Sequence, residues 1–595
     1  MRELFIDIET FSPVNLAKSG VYPYAHHDDF ELLLFGYSMD GGPVEVVDLA
    51  NGYRLPDKVL AALVDPHVVK WAFNAGFERI CLSSWLARQH PELMANRKFL
   101  DPAQWHCTMV WSAYLGLPMS LEQVGTVLDL PVRKDSAGKK LIRQFYTPAT
   151  PSMFNQGEMR NPPASDPDGW EQFISYNRRD VEVEFAIHHR LAAFPVPKDE
   201  WDTYALDQNI NNTGIRLDQV LVDHAVACDR QHRAATLARA QELTGLENPN
   251  SPIQLKDWLA AHGTPLQSLT KDEVSAALDN ATGEVCEVLQ LRGELAKSSV
   301  KKYEAMQLVA GRDGRGCGFL QFYGAGRTGR FAGRLVQVQN LPRNYLPDLA
   351  EARALVRTGN FEALELLYDS VSDTLSQLIR TAFIPADGHR FVAADFSAIE
   401  ARVIAWLAGE TTTLQAFRDG KDLYCETASR MFGVPIDKHG ANAELRQKGK
   451  ITVLACGYQG GVGALKAMGA LRRGLAESEL QPLVDAWRAA NPSVVQLWAD
   501  INAAAIEAIS TRQSSSVGAL AFAMESGIMF IRLPSGRRLA YVKPKLGENR
   551  FGGTSITYEG ITTGRKWGQL ETYGGKLTEN TVQAVARDLL TYALH

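Results

Sequence analysis

The chain has 595 residues, 62 Lys+Arg against 68 Asp+Glu and a formal charge of −6, enough for roughly three to five domains. Apolar residues make up 45% and charged residues 22%, a globular composition that excludes disorder, collagen and coiled coil as the main architecture. The seven cysteines stand singly with no CxxC pair, so neither a disulfide framework nor a zinc site is expected. The charged opening MRELFIDIET and the lack of a long apolar run predict a soluble, cytoplasmic protein with no membrane partner.

In chain order, LFIDIE, LLLFGYSM and VEVVDL read as strands, and VLAALV and RICLSSWLA have helical spacing. Phe194-Pro-Val-Pro-Lys reads as a linker, and residues 200–310 are mostly helical. HRFVAADF reads as a strand running into the helix AIEARVIAWLAG. LVDAWRAANPSVVQLWADINAAAIEAI is helical, and IRLPSGRRLAYVKP is a hairpin turning at Pro534-Ser535-Gly536. The pattern predicts a multidomain α/β and α+β fold. Charge is polarised within it: Arg292 to Arg343 holds ten Lys/Arg and three acids, a local +7 interleaved with glycines and aromatics that points to a polyanion partner.

Alternation along FIDIE puts Asp7 and Glu9 on one face, and two adjacent carboxylates on an apolar strand repel each other and resist burial. A divalent cation removes both problems; an edge strand with a wet face does so equally. AFNAGFERICL adds Asn74, Phe77 and Glu78 at a helix start, and YNRRDVEVEFAIHHRL adds Tyr176 and Asp180, four apart on one helical face. In this order the segments resemble the DEDD 3′–5′ exonucleases of the Tyr type, whose motifs are DxE, NxxFD and YxxxD. That resemblance implies Asp7, Glu9, Glu78 and Asp180 as ligands of two Mg²⁺ ions, which Mn²⁺ can replace, with Tyr176 orienting the attacking water. Glu78 stands where the family pattern most often has Asp.

FVAADFSAIEARVIAWLAG places Asp395 at a strand end, where it suits a metal or catalytic role and equally a helix N-cap. In LRQKGKITVLACGYQGG, Arg446, Lys450, Leu454 and Tyr458 recur every four residues. That is nearly one helical face, which could meet a triphosphate and a base or simply snorkel over a core. Together these segments resemble motifs A and B of family A DNA polymerases. RTGRFAGRLVQVQNLP is similar to the family's thumb-to-palm stretch and LIRTAFIP to the strand region before motif A. The likeness is greatest to bacteriophage members, which lack a 5′-nuclease domain.

The resemblance implies an RNase H-like exonuclease domain over 1–195 followed by a right-hand polymerase. Its parts would be a thumb over 200–325, palm over 326–405, fingers over 406–515 and palm return over 516–595. It implies that Asp395 holds both catalytic metals, that Arg446 and Lys450 grip the incoming deoxynucleoside triphosphate, and that Lys450 takes part in catalysis. Glu400 against Tyr458 would block a ribose 2′-OH, and Arg330, Gln339, Asn340 and Gln583 would contact primer-template DNA. Leu454 replaces the usual Phe or Tyr, and Tyr424 replaces a phosphate-binding His.

Motif C, a His-Asp-Glu whose Asp is the second metal carboxylate, occurs nowhere in the sequence. The expectation is therefore a polymerase truncated before motif C, or completed by a small separate C-terminal fragment carrying it. The alternatives are a 3′–5′ exonuclease whose polymerase half only grips DNA, and a non-catalytic replication scaffold.

Overall fold

The structure is a computed structural model that describes residues 2–133, 138–148, 159–440, 442–548 and 552–595. β1 (Arg2–Phe11) pairs antiparallel with β2 (Glu31–Met39) and parallel with β4 (Val68–Ala72). With β3 (Glu45–Asp48) and β5 (Trp105–Cys107) the sheet order is β3-β2-β1-β4-β5. β1 is thus central, and Leu4, Phe5, Ile6 and Ile8 are all buried on its two faces, which removes the wet edge-strand reading of Asp7 and Glu9. Helices Ala75–Gln89 and Pro167–Leu191 pack on this sheet. The second stops before the Phe194-Pro-Val-Pro linker, and a new helix, Lys198–Thr213, follows it.

Between residues 215 and 384, helices Gln219–Thr244, Lys301–Val309, Leu349–Thr358 and Val371–Leu378 share a core around Leu221, Tyr303, Met306, Val356 and Leu375. Helices Pro252–Ala261, Lys271–Leu278 and Gly283–Ala296 close a smaller core of their own around Leu255, Trp258 and Leu289. Short strands β6 (Ile215–Leu217), β7 (Arg315–Gly316) and β10 (Phe383–Ile384) form one sheet, and β8 (Leu320–Ala325) with β9 (Arg330–Gly333) another.

One expectation fails here. HRFVAADF forms no strand: Phe391 is 56% and Val392 84% exposed, and the next helix is Ile399–Ala408. Among the described residues no strand lies beside this segment, so its exposed backbone is left to water. The run read as helical is helical, as two helices, Glu477–Ala490 and Pro492–Thr511, with Pro492 at the first position of the second, where its missing N–H costs no hydrogen bond.

The C-terminal sheet runs in sequence order: β11 (Ser515–Val517), β12 (Leu520–Glu525), β13 (Ile528–Arg532), β14 (Arg538–Glu548), β15 (Thr554–Ile561) and β16 (Trp567–Thr572), every neighbour antiparallel. Its hairpin turns at Pro534–Gly536, where the sequence placed it. Alternation on β13 and β14 sorts the residues between two cores. Met529, Ile531, Leu539 and Tyr541 join a core with Ile501 and Leu577 of helices Pro492–Thr511 and Gly574–Leu594. Phe530, Ala540 and Val542 join the core of the N-terminal sheet.

A second link is ionic. Arg587, 2% exposed at its side chain, donates from Nη1 and Nη2 to the two carboxylate oxygens of Glu200 at 2.7 and 2.9 Å, and from Nε to the Gly329 carbonyl at 3.1 Å. Arg537 donates to Asp588 at 2.7 Å and to the Tyr323 hydroxyl at 2.9 Å. Removing Glu200 would leave Arg587 with Asp588, 3.2 Å away, as its remaining carboxylate, so part of the desolvation cost of breaking a buried pair is offset. Glu200→Ala should therefore lower the melting temperature measurably. Glu200→Leu combined with Arg587→Met should recover much of that loss, both read by differential scanning fluorimetry.

Candidate active sites

The first site is built on β1. Its register with β2 sets Asp7 opposite Gly36, and only glycine fits there, because a Cβ would lie 2.4 Å from Asn177 Oδ1. Helix Pro167–Leu191 therefore lies close enough for Asn177 Nδ2 to donate to Asp7 Oδ2 at 2.7 Å and to the Asp7 carbonyl at 3.1 Å. The register between β1 and β2 shifts at Glu9/Thr10, the kind of irregularity that re-aims side chains beside functional sites. Tyr176, Asp180 and Glu184 follow one another at four-residue steps on that helix, and all three are buried. Glu78 enters from the first turn of helix Ala75–Gln89, where the helix dipole favours an acid.

These acids feel one another. Burial, then the charges of Asp7 and Glu184, push the Glu78 carboxyl well above the usual carboxylate range. Burial does the same to Glu184, with Asp7 and Asp180 adding to it and the hydrogen bond from Thr108 Oγ1 at 2.8 Å opposing. The Tyr176 hydroxyl is pushed up by burial and by Asp180, Glu9 and Asp7. Glu78 Oε2 is buried and, among the described residues, has no hydrogen-bond partner. Sequence reasoning named Asp7, Glu9, Glu78, Tyr176 and Asp180, and the structure gathers all five. It missed Glu184, whose position one turn after Asp180 was readable, and Asn177, whose partner on β1 was not.

The second site is split. Helix Ala443–Cys456 carries Arg446, Lys450 and Leu454, the last 49% exposed. Tyr458 lies just past the assigned end of that helix, where Gly457 keeps right-handed helical backbone, and Leu454 and Tyr458 line one cavity with Glu400. Gly449 lets the helix press onto Leu423–Phe432, since a Cβ there would meet the Tyr424 carbonyl oxygen at 2.7 Å. Arg446 and Lys450 consequently flank the Tyr424 ring, with the guanidinium carbon and Nζ 5.3 and 5.9 Å from its centroid. Arg446 is also bound by Asp422, at 2.7 Å from Nη2 and 3.2 Å from Nε, a partner that the sequence reading did not identify.

Glu400, in the first turn of Ile399–Ala408, accepts from the Tyr458 hydroxyl at 3.3 Å and lies 3.5 Å from Arg330 Nη1. Burial and Glu400 together raise the Tyr458 hydroxyl pKa. Gln339 and Asn340 are exposed in the turn Val338–Asn340, and Gln583 is half-buried, donating to Glu579 at 3.2 Å. Asp395 sits on the unpaired segment, exposed, and among the described residues it has no hydrogen-bond or ion-pair partner. The structure does not join it to the other groups.

Residues 226–513 match the family described as DNA polymerase family A. The DNA polymerase of Bacillus phage SP02 is 52% identical over 597 residues, covering 100% of this chain and 91% of that protein. DNA polymerase I of Chloroflexus aurantiacus is 31% identical over 272 residues, 43% of this chain and 25% of its own length. A solved structure, the POL domain of Pol1 from M. smegmatis in complex with DNA primer-template and dNTP, superimposes with a TM-score of 0.57 at 16% identity. That match covers 100% of this chain and 84% of the other, and it is a likeness of fold. With a relative more than half identical along its whole length, this chain belongs to the family A DNA polymerases.

Proposed function

We propose that the chain combines template-directed DNA synthesis with 3′–5′ proofreading. Residues 1–195 would be the RNase H-like exonuclease domain, 200–325 the thumb, 326–405 and 516–595 the palm, and 406–515 the fingers. The observation that carries the exonuclease reading is the acid cluster drawn from one strand and two helices, in which burial and then neighbouring carboxylates hold Glu78 and Glu184 toward their neutral forms. Hard oxygen donors in mutual repulsion, with Glu78 Oε2 left without a hydrogen-bond partner among the described residues, fit Mg²⁺ or Mn²⁺ by their chemistry. Among the described residues no three His, Cys, Asp or Glu side chains already stand in metal-binding geometry, so binding would draw them together.

Asp7, Glu9, Glu78 and Asp180 would hold two ions, which when bound supply Lewis-acid polarisation of the phosphodiester. Asn177 fixes the Asp7 carboxylate, and the Tyr176 hydroxyl, hydrogen-bonded to Asp180, orients the attacking water. In the polymerase half, Arg446 and Lys450 would grip the triphosphate of the incoming nucleotide. Lys450 would also act in the transfer step, and Tyr424 would take the place of a phosphate-binding His. The Tyr458–Glu400 contact supports exclusion of a 2′-OH, and Leu454 would widen the sugar pocket. Arg330, Gln339, Asn340 and Gln583 would touch primer-template. Asp395 would hold the polymerase metals.

The exposed apolar stretch around Phe391, Val392 and Phe396 supports a further requirement. A strand bearing the second metal carboxylate would pair with this segment, cover those side chains and fix Asp395. That strand would come from a hairpin carrying motif C, supplied by a separate small chain. Until it pairs, residues 1–595 would act as a DNA-gripping exonuclease, the second reading that the unpaired Asp395 favours.

On a labelled primer-template with Mg²⁺, residues 1–595 should shorten the primer with or without the four deoxynucleotides and extend it poorly. Robust extension would overturn the need for a pairing strand. Asp7→Ala and Asp180→Ala should each reduce shortening to background without loss of DNA binding; unchanged shortening would overturn the exonuclease reading. Acids whose folded pKa is raised lend stability below the unfolded value near 4.3, and that stability is lost as pH rises. In EDTA, the wild type should therefore lose thermal stability relative to Glu184→Gln as pH climbs from about 5 to 8, and Mg²⁺ should narrow the gap.

A further inference from the structure

Arg446 is held by a carboxylate that has a second task. Asp422 precedes helix Leu423–Phe432, and its Oδ1 accepts from the backbone N–H groups of Tyr424 and Cys425, both at 3.0 Å. The helix end thus locks the carboxylate, and the locked carboxylate receives Nε and Nη2 of Arg446 as a two-point grip. A planar guanidinium gripped along one edge has its orientation set; the Cys425 side chain also lies against it, and among the described residues no oxygen accepts from Nη1. Both side chains are about a quarter exposed, 22% for Arg446 and 26% for Asp422, so the pair is shielded yet open to a solute. The Tyr424 ring lies beside the Arg446 guanidinium, with Lys450 Nζ near the same ring.

We propose that Asp422 is a positioning residue for the incoming nucleotide, presetting the Arg446 guanidinium so that its Nη1 edge and the Lys450 ammonium receive one polyphosphate. The inference rests on the reading of Arg446 as a triphosphate ligand and extends it to the group that aims it. Holding a long side chain in its bound rotamer before the ligand arrives removes an ordering cost that binding would otherwise carry. Asp422 acts through Arg446 and touches no reacting atom.

The test is an equilibrium titration of the complex with dideoxy-terminated primer-template, Ca²⁺ replacing Mg²⁺, using the matched deoxynucleoside triphosphate and, separately, its nucleoside. Asp422→Asn and Asp422→Ser both keep a good helix cap. The first loses the two-point acceptor and the second cannot reach Arg446. Each should raise the triphosphate Kd roughly three- to tenfold, leave the nucleoside Kd unchanged and leave the circular dichroism spectrum and melting temperature near wild type. In an Arg446→Ala background, itself weaker for triphosphate, Asp422→Asn should add nothing. An unchanged or tighter triphosphate Kd for both Asp422 variants, with Arg446→Ala still weakened, overturns the positioning role alone. An unchanged Kd for Arg446→Ala overturns the underlying assignment of Arg446, and the inference with it.

Discussion

Arg587 sits where three stretches of chain far apart in sequence meet. Its guanidinium binds Glu200 from the helix that follows the linker and the Gly329 carbonyl from the β8–β9 turn. It also lies 5.3–5.7 Å from the ring centroids of Phe322, Tyr323 and Phe331. A cation this deep is tolerable only if its donors are satisfied and its partner is ionised beside it. Satisfying it requires helix Gly574–Leu594, the β8–β9 hairpin and helix Lys198–Thr213 to adopt one arrangement. Arg537 repeats the logic one turn away, through Asp588 and the Ala584 carbonyl of the same helix. Packing energy alone tolerates sliding; a fork of directed hydrogen bonds does not.

The apolar counterpart of that lock is the two-faced sheet. Because neighbouring residues on a strand point opposite ways, β13 and β14 place Met529 and Tyr541 in the C-terminal core and Phe530 and Val542 in the N-terminal one. Phe530 reaches the linker residue Phe194, with ring centroids 5.8 Å apart. A one-residue slip of either strand would exchange the two sets and disrupt both cores together. The N-terminal sheet with its acid cluster is thereby held in fixed register with the helix and sheet layers behind the Arg446 site.

What was legible in the sequence follows from the range of the interactions. Asp7 with Glu9, Glu78 at a helix start, and Tyr176 with Asp180 are each local patterns, and their convergence needed only that β1 be central. The Pro534–Gly536 turn is written in residues with strong backbone preferences of their own. Arg587–Glu200 spans 387 positions and carries no local signal. Asp422 drew no reading from the sequence, because its arginine partner lies 24 positions away on another helix. HRFVAADF misled for the opposite reason: its composition is that of a strand, but a strand exists only in company, and local sequence cannot report an absent neighbour. The four-residue spacing from Arg446 to Tyr458 was legible because helical backbone continues through Gly457, which leaves Leu454 and Tyr458 lining one cavity.

The two sites rest in opposite electrostatic conditions, and that contrast bears on how they work together. In the N-terminal site, burial and mutual repulsion push Glu78 and Glu184 toward their neutral forms, so the cluster would gain charge if cations entered. In the other, Arg446 and Arg330 already have carboxylates beside them, Asp422 and Glu400, so a polyanion entering there would meet cations that are partly neutralised and already oriented. Neither site keeps a bare array of like charge in a shielded setting, which would weaken the fold around it. Asp395 is the exception that fits the rule. Among the described residues it has no ion-pair partner, a state tolerable only in water, and it is exposed there, on a segment whose apolar side chains are exposed with it. Covering that segment would bury the carboxylate as well, so the same event that assembles the sheet must bring the charges that make Asp395 affordable inside it.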